Sequence, residues 1–146
     1  MNIITENPTQ TKKVAKILAQ EILKKPSSKK PIVLGLSGDL GGGKTIFIQG
    51  LAKGLGIGQK ITSPTFVIIR RYNISSRRYK NFYHIDCYRI GPKDLFSIGF
   101  MEIINNPKNI VAIEWADRIT EILPKDVIKI KFKYIGPKER EIIINF

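Results

Sequence analysis

The residues Gly38-Asp39-Leu40-Gly41-Gly42-Gly43-Lys44-Thr45 follow the spacing G-x-x-x-x-G-K-S/T, the arrangement that cradles phosphate. Glycines let the chain bend so that successive backbone N–H groups point into one concavity. A helix opening near Lys44 would add its positive dipole end. Lys44 supplies a mobile point charge for β- and γ-phosphates, and the Thr45 hydroxyl is of the kind that ligates Mg²⁺. All eight residues are candidates for nucleotide binding. A glycine-rich turn with an incidental Lys-Thr would leave the glycines and the strand–helix setting unexplained.

Such a loop needs a carboxylate at the end of a neighbouring strand, to hold Mg²⁺ or orient water. Glu114 ends the apolar run Ile110-Val111-Ala112-Ile113, and Asp86 ends Phe82-Tyr83-His84-Ile85. Strand ends beside the loop are where open α/β sheets bind ligands. Glu114 is the favoured metal ligand, because its strand reads as buried on both faces. Asp86 is then the second acid, acting on water or on a moving loop. Lys44, Asp86 and Glu114 are the expected catalytic residues; Thr45 and Glu114 are the expected metal ligands.

The neighbouring residues admit two readings each. Arg89 could stabilise phosphate charge or pair with Asp86 or Glu114. Tyr88 stands beside Arg89, directly after Asp86-Cys87, and Trp115 is a packing anchor or a nucleotide or partner contact. Ser63-Pro64-Thr65 is a γ-phosphate-sensing switch or an ordinary turn. His84 reads as a half-buried strand histidine, and Cys87 as a small apolar filler.

The elements that must position these groups follow from pattern. Thr9–Lys24 is helical, with Val14, Leu18 and Ile22 on one stripe and Ile17 beside them. Pro31–Leu36 is a buried strand, Lys44–Leu55 a helix that ends near Gly56 and Gly58. Phe66–Tyr72 and Tyr79–Asp86 read as strands joined by the polar turn 73–78. Pro92–Ile104 holds a short helix, Asn109–Glu114 is a strand, and Asp117–Leu123 is a helical turn stopped at Pro124. Val127–Tyr134 and Glu141–Phe146 form a terminal pair around Gly136-Pro137. The expected fold is α/β: one domain over residues 1–146, with a mixed, mainly parallel sheet flanked by helices.

Composition sets the outer limits. The chain has 146 residues, of which 42% are apolar, enough for one core and too many for disorder. Cys87 is the only cysteine, which excludes a disulfide framework and a cysteine-built zinc site. No apolar run approaches the ~20 residues of a membrane helix, and no secretory signal is visible at the start. A soluble cytoplasmic protein is expected, with no membrane partner. Lys plus Arg number 25 against 12 Asp plus Glu, a net charge of +13. That balance invites a nucleic-acid reading. The 27 isoleucines and 18 lysines are equally what an AT-rich coding sequence produces.

The ordered motifs GDLGGGKT, SPTF at Ser63–Phe66, HIDCYRI at His84–Ile90 and IEWADRI at Ile113–Ile119 resemble the TsaE (YjeE) family. These are ATPase subunits of the bacterial machinery that makes threonylcarbamoyladenosine beside the tRNA anticodon. The resemblance runs over nearly the whole chain. It implies a small phosphate-loop ATPase with ATP and Mg²⁺ as cofactors, Lys44 on the phosphates, Thr45 and Glu114 on Mg²⁺, and Asp86 as an essential acid near the γ-phosphate. It implies that Thr11 and Arg140 lie near the nucleotide and that the Ser63-Pro64-Thr65 loop responds to nucleotide state. It also implies TsaB and TsaD as protein partners, with tRNA engaged indirectly. Gly42, Ile46 and Gly91 depart from the usual family residues, and Ile46 removes a hydroxyl near the α-phosphate.

Two rival functions use the same loop: a small-molecule kinase, and a non-enzymatic RNA-binding module. The missing aromatic platform for stacking bases counts against the RNA-binding module. The guanine-reading N-K-x-D motif and an arginine-rich lid are both absent.

Overall fold

Two apolar segments pair at the centre of the sheet. β2 (Ile32–Gly38) and β5 (Asn109–Glu114) run parallel, with Leu34 opposite Ala112 and Leu36 opposite Glu114. All six residues of β5 are buried, as expected for a strand covered on both faces. The structure is a computed structural model that describes residues 1–26, 29–39, 41, 43–62 and 68–146. Seven strands lie in the order β1-β7-β6-β2-β5-β4-β3. These include β1 (Asn2–Thr5), β3 (Ile69–Asn73), β4 (Asn81–Asp86), β6 (Ile128–Tyr134) and β7 (Arg140–Asn145).

The sheet is mixed, as expected. Parallel pairing is confined to the central strands β4, β5, β2 and β6. β3, β7 and β1 join antiparallel at the two sides. β1 has no counterpart in the sequence reading. Its four residues form a strand because β7 supplies the hydrogen bonds, with Ile3 opposite Ile142.

One face of the sheet carries α1 (Pro8–Lys24) and α2 (Lys44–Gly54). Asn7 caps α1 by accepting from the Gln10 amide at 2.9 Å, and Pro8 occupies the first turn, where its missing N–H costs nothing. The buried stripe of α1 is Thr11, Ala15, Leu18, Ala19 and Ile22, so Ile17, expected beside the core, is 51% exposed. The stripe turns toward small residues because α1 and α2 pack closely. A Cβ on Gly50 would collide with the Lys12 backbone, and one on Gly54 would lie 2.7 Å from the Ala19 Cβ.

The opposite face is covered over β2, β5 and β4 by α3 (Pro92–Phe96), α4 (Phe100–Asn105) and a 3₁₀ helix, Ala116–Ile122. The one helix expected over Pro92–Ile104 is thus two, separated by Gly99 at φ +83°. Among the described residues no helix is long and apolar enough to cross a membrane.

The α1–α2 contact predicts a sign. In an isolated helix Gly→Ala is worth about 1 kcal/mol of stabilisation. For Gly50→Ala we expect the melting temperature to fall instead, because overpacking costs about 1–3 kcal/mol. A raised melting temperature would contradict the close crossing.

Candidate nucleotide site

The parallel register sets the ends of β5 and β4 level, with Glu114 opposite Asp86, while β2 runs two residues past Leu36, the Cα partner of Glu114. β2 then turns sharply at Gly38, which has φ +125° and whose Cβ would collide with the Phe132 backbone. The next residue ties the loop to β6. Asp39 N donates to Phe132 O at 3.3 Å, and its Oδ2 accepts from Tyr134 N at 3.2 Å. Gly41 and Gly43 also hold positive φ angles of 74° and 96°. α2 opens immediately, with Phe47 N donating to Gly43 O at 2.9 Å, so its positive end faces the loop.

Lys44 is 5% exposed, and its Nζ donates to Gly38 O at 3.1 Å and Asp39 O at 2.8 Å. It also lies 4.2 Å from the centre of the Trp115 ring. Burial pulls its pKa below the ordinary lysine value, opposed by the nearby acids Glu114, Asp117, Asp39 and Asp86. Trp115 holds φ +58°, the one non-glycine with positive φ among the described residues. Such a strained backbone at a bulky residue marks a place where position matters more than comfort. Tyr88 packs at a tilt of 48° against Trp115 with ring centres 5.0 Å apart, and Arg118 lies over both rings. Trp115 therefore packs, against Tyr88, and it borders the loop lysine.

Glu114 is 3% exposed, and both its oxygens are engaged. Thr45 Oγ1 donates to Oε1 at 3.0 Å, and His84 Nε2 lies 2.6 Å from Oε2. His84 is fully buried, and its Nδ1 has no hydrogen-bond partner among the described residues. The reading of His84 as an ordinary, half-buried strand residue is therefore corrected. Strand parity places His84 on the face of Asp86, two residues on, and that signal could have found it.

Asp86 is half-buried, with Oδ1 accepting from Tyr88 N at 2.9 Å. Burial raises its pKa above the ordinary carboxylate range; the Tyr88 N–H opposes the shift and Glu114 adds to it. Arg89 pairs with neither acid; it lines the cavity without a partner among the described residues. Cys87 is buried and its pKa is pushed up to about 12 by burial, which suits the filler role.

These groups border a cavity of about 500 Å³, within the range of small-molecule sites. Its wall includes Gly41, Gly43, Lys44, Thr45, Asp86, Tyr88, Arg89, Glu114 and Trp115. Thr11 and Arg140 reach the same wall from α1 and β7. Arg140 donates to Gly41 O at 3.0 Å and to Gly136 O at 2.8 Å, so it braces the loop from the far side. Thr11 shares its hydroxyl with Thr5 at 2.8 Å. Pro8, Ile68 and Lys138 also line the cavity and carried no sequence signal, because loop closure alone brings them there. Leu40, Gly42, Ser63, Pro64 and Thr65 lie outside the described residues.

Among the described residues no group of three or more His, Cys, Asp and Glu side chains could cage a metal. A hydroxyl and a carboxylate 3.0 Å apart are the hard oxygen donors that suit Mg²⁺, which takes its remaining ligands from phosphate and water. The donor set therefore fits that ion, and Gly41, Gly43 and Lys44 at the start of α2 line the cavity as a polyphosphate site requires.

Comparison with known proteins points to one family. The profile of "Threonylcarbamoyl adenosine biosynthesis protein TsaE" matches residues 5–142. The tRNA threonylcarbamoyladenosine biosynthesis protein TsaE of Bacillus subtilis is 41% identical, covering 94% of this chain and 80% of its own. That of Rickettsia felis is 36% identical, covering 94% and 75%. The crystal structure of Bacillus subtilis YdiB superposes with a TM-score of 0.71 at 36% identity, covering 99% of this chain and 83% of the other.

The pKa direction at Asp86 makes a prediction. A carboxyl whose folded pKa is raised is penalised when ionised, in full above the folded value and not at all below the unfolded one. Asp86→Asn keeps an oxygen for Tyr88 N and removes the charge. We expect it to melt above the parent at pH 7, with the difference closing below about pH 4. A variant less stable than the parent at pH 7 would contradict this.

Proposed function

The chain belongs to the TsaE family of tRNA threonylcarbamoyladenosine biosynthesis proteins, and on that premise we propose that it is a Mg²⁺-dependent ATPase of this modification. It acts in the cytoplasm with the TsaB–TsaD pair, and meets tRNA through that assembly. The observation that carries the reading is the Glu114 carboxylate held between the Thr45 hydroxyl and the His84 imidazole, at the mouth of a glycine-rich loop.

In this reading the loop amides and Lys44 Nζ bind the phosphates, with Lys44 keeping its anchorage on the loop carbonyls. Thr45 Oγ1 and Glu114 Oε1 would hold the metal. A Mg²⁺ held by these two oxygens would supply positive charge to the phosphate oxygens. Asp86 Oδ1 is fixed by the Tyr88 amide, which leaves Oδ2 to accept a hydrogen bond from the attacking water. The raised pKa of Asp86 moves it toward the range useful in a base. Trp115 and Tyr88 shield one side of Lys44 from solvent. Arg140 is committed to backbone carbonyls and Arg89 lines the cavity with no partner to hold it, so among the described residues no guanidinium is fixed for the transferred phosphate. Turnover is therefore slow alone and rises when partners complete the site.

ATP hydrolysis by the pure protein, alone and then with TsaB, TsaD and tRNA, tests the proposal. The expected result is a rate raised at least tenfold by the pair and lost in Lys44→Ala, which still folds. Phosphate transfer to an added small acceptor in place of water, or an equally active Lys44→Ala, would overturn it.

A further inference from the structure

The face of the sheet opposite α1 and α2 is covered only in part. Over β2, β5 and β4 it carries the second apolar cluster. Over β6, β7 and β1 it presents side chains to solvent. The outward residues of β6 are Lys129, Lys131 and Lys133, all exposed. Their register partners on β7 are Asn145, Ile143 and Glu141, and beyond these stand Asn2 and Ile4 on β1. Lys129 and Lys131 have no ion-pair partner among the described residues, and Lys133 has only Glu141 at 3.9 Å.

We propose that this open face contacts the phosphate backbone of RNA. Alternate residues of a strand stand about 6.7 Å apart, so three lysines make a straight row whose repeat is comparable to that of phosphates along a nucleic-acid strand. A single carboxylate, Glu141, offsets three cations there. The outward positions of these strands hold no aromatic side chain. Sequence reading of RNA relies on stacked bases, so the contact is to backbone and independent of sequence. The nature of the RNA, a tRNA, rests on the tRNA-modification reading.

The experiment measures binding of a tRNA transcript to the full chain across a salt series. The probes are wild type and the triple variant Lys129→Gln, Lys131→Gln, Lys133→Gln. A control carries the same charge change on the exposed lysines of α1, as Lys12→Gln, Lys13→Gln, Lys16→Gln. The face variant is expected to bind about tenfold more weakly at low salt and to lose about 2 from the slope of log K against log salt. The α1 control should keep the wild-type slope. Equal losses in both variants would mean attraction by net charge alone and would overturn the proposal. So would an unchanged slope in the face variant, including the case where that variant instead loses a protein partner. ATP hydrolysis measured on the same samples separates this proposal from the previous one: its absence would sink the ATPase reading and leave the salt slopes standing.

Discussion

A carboxylate withdrawn from water must have both oxygens satisfied, or its burial costs several kcal/mol. Glu114 meets that demand with one partner from a helix and one from a strand: Thr45 on the first turn of α2 and His84 on β4. This clamp ties three elements together at one point. It fixes how far α2 projects over the sheet, and so where the loop before it must run. It requires β4 and β5 to lie parallel with Asp86 opposite Glu114. The cavity, its two acids and its lysine all follow from that registration.

The remainder of the fold supports this point from both faces. On one side α1 lies close against α2 through Gly50 and Gly54, and carries Thr11 to the cavity wall. On the other, the 3₁₀ helix begins directly after Trp115, whose left-handed backbone turns the chain out of β5. Trp115 thereby swings over Lys44 instead of continuing the strand. β7 returns antiparallel beside β6 and delivers Arg140 to the loop. The site is thus assembled from residues near both ends of the chain as well as its middle.

Much of this was legible in the sequence, for identifiable reasons. The phosphate loop, β5 and the acid at its end are local patterns: glycine spacing, an unbroken apolar run and its polar stop. Thr11 and Arg140 were reached only through family resemblance, since nothing local marks a threonine on a helix or an arginine on a hairpin. β1 escaped because a four-residue strand exists by virtue of its partner. The buried stripe of α1 was misplaced at Ile17 because alanine scores as a weak apolar residue. It buries here because helix–helix closeness rewards small size. His84 reads as an ordinary half-buried strand histidine because a single histidine in a strand is ambiguous until the facing carboxylate is known.

In the proposed site Glu114 holds the metal ion for a bound nucleotide. Trp115 is the only tryptophan and lies over Lys44, so its fluorescence reports on the site. The direct measurement is a Mg²⁺ titration of ADP-bound protein, read by that emission, for wild type and Glu114→Gln. The expected outcome is a shift of the Mg²⁺ midpoint by tenfold or more in the variant, with metal-free ADP affinity unchanged. Identical Mg²⁺ midpoints in the two proteins would contradict it.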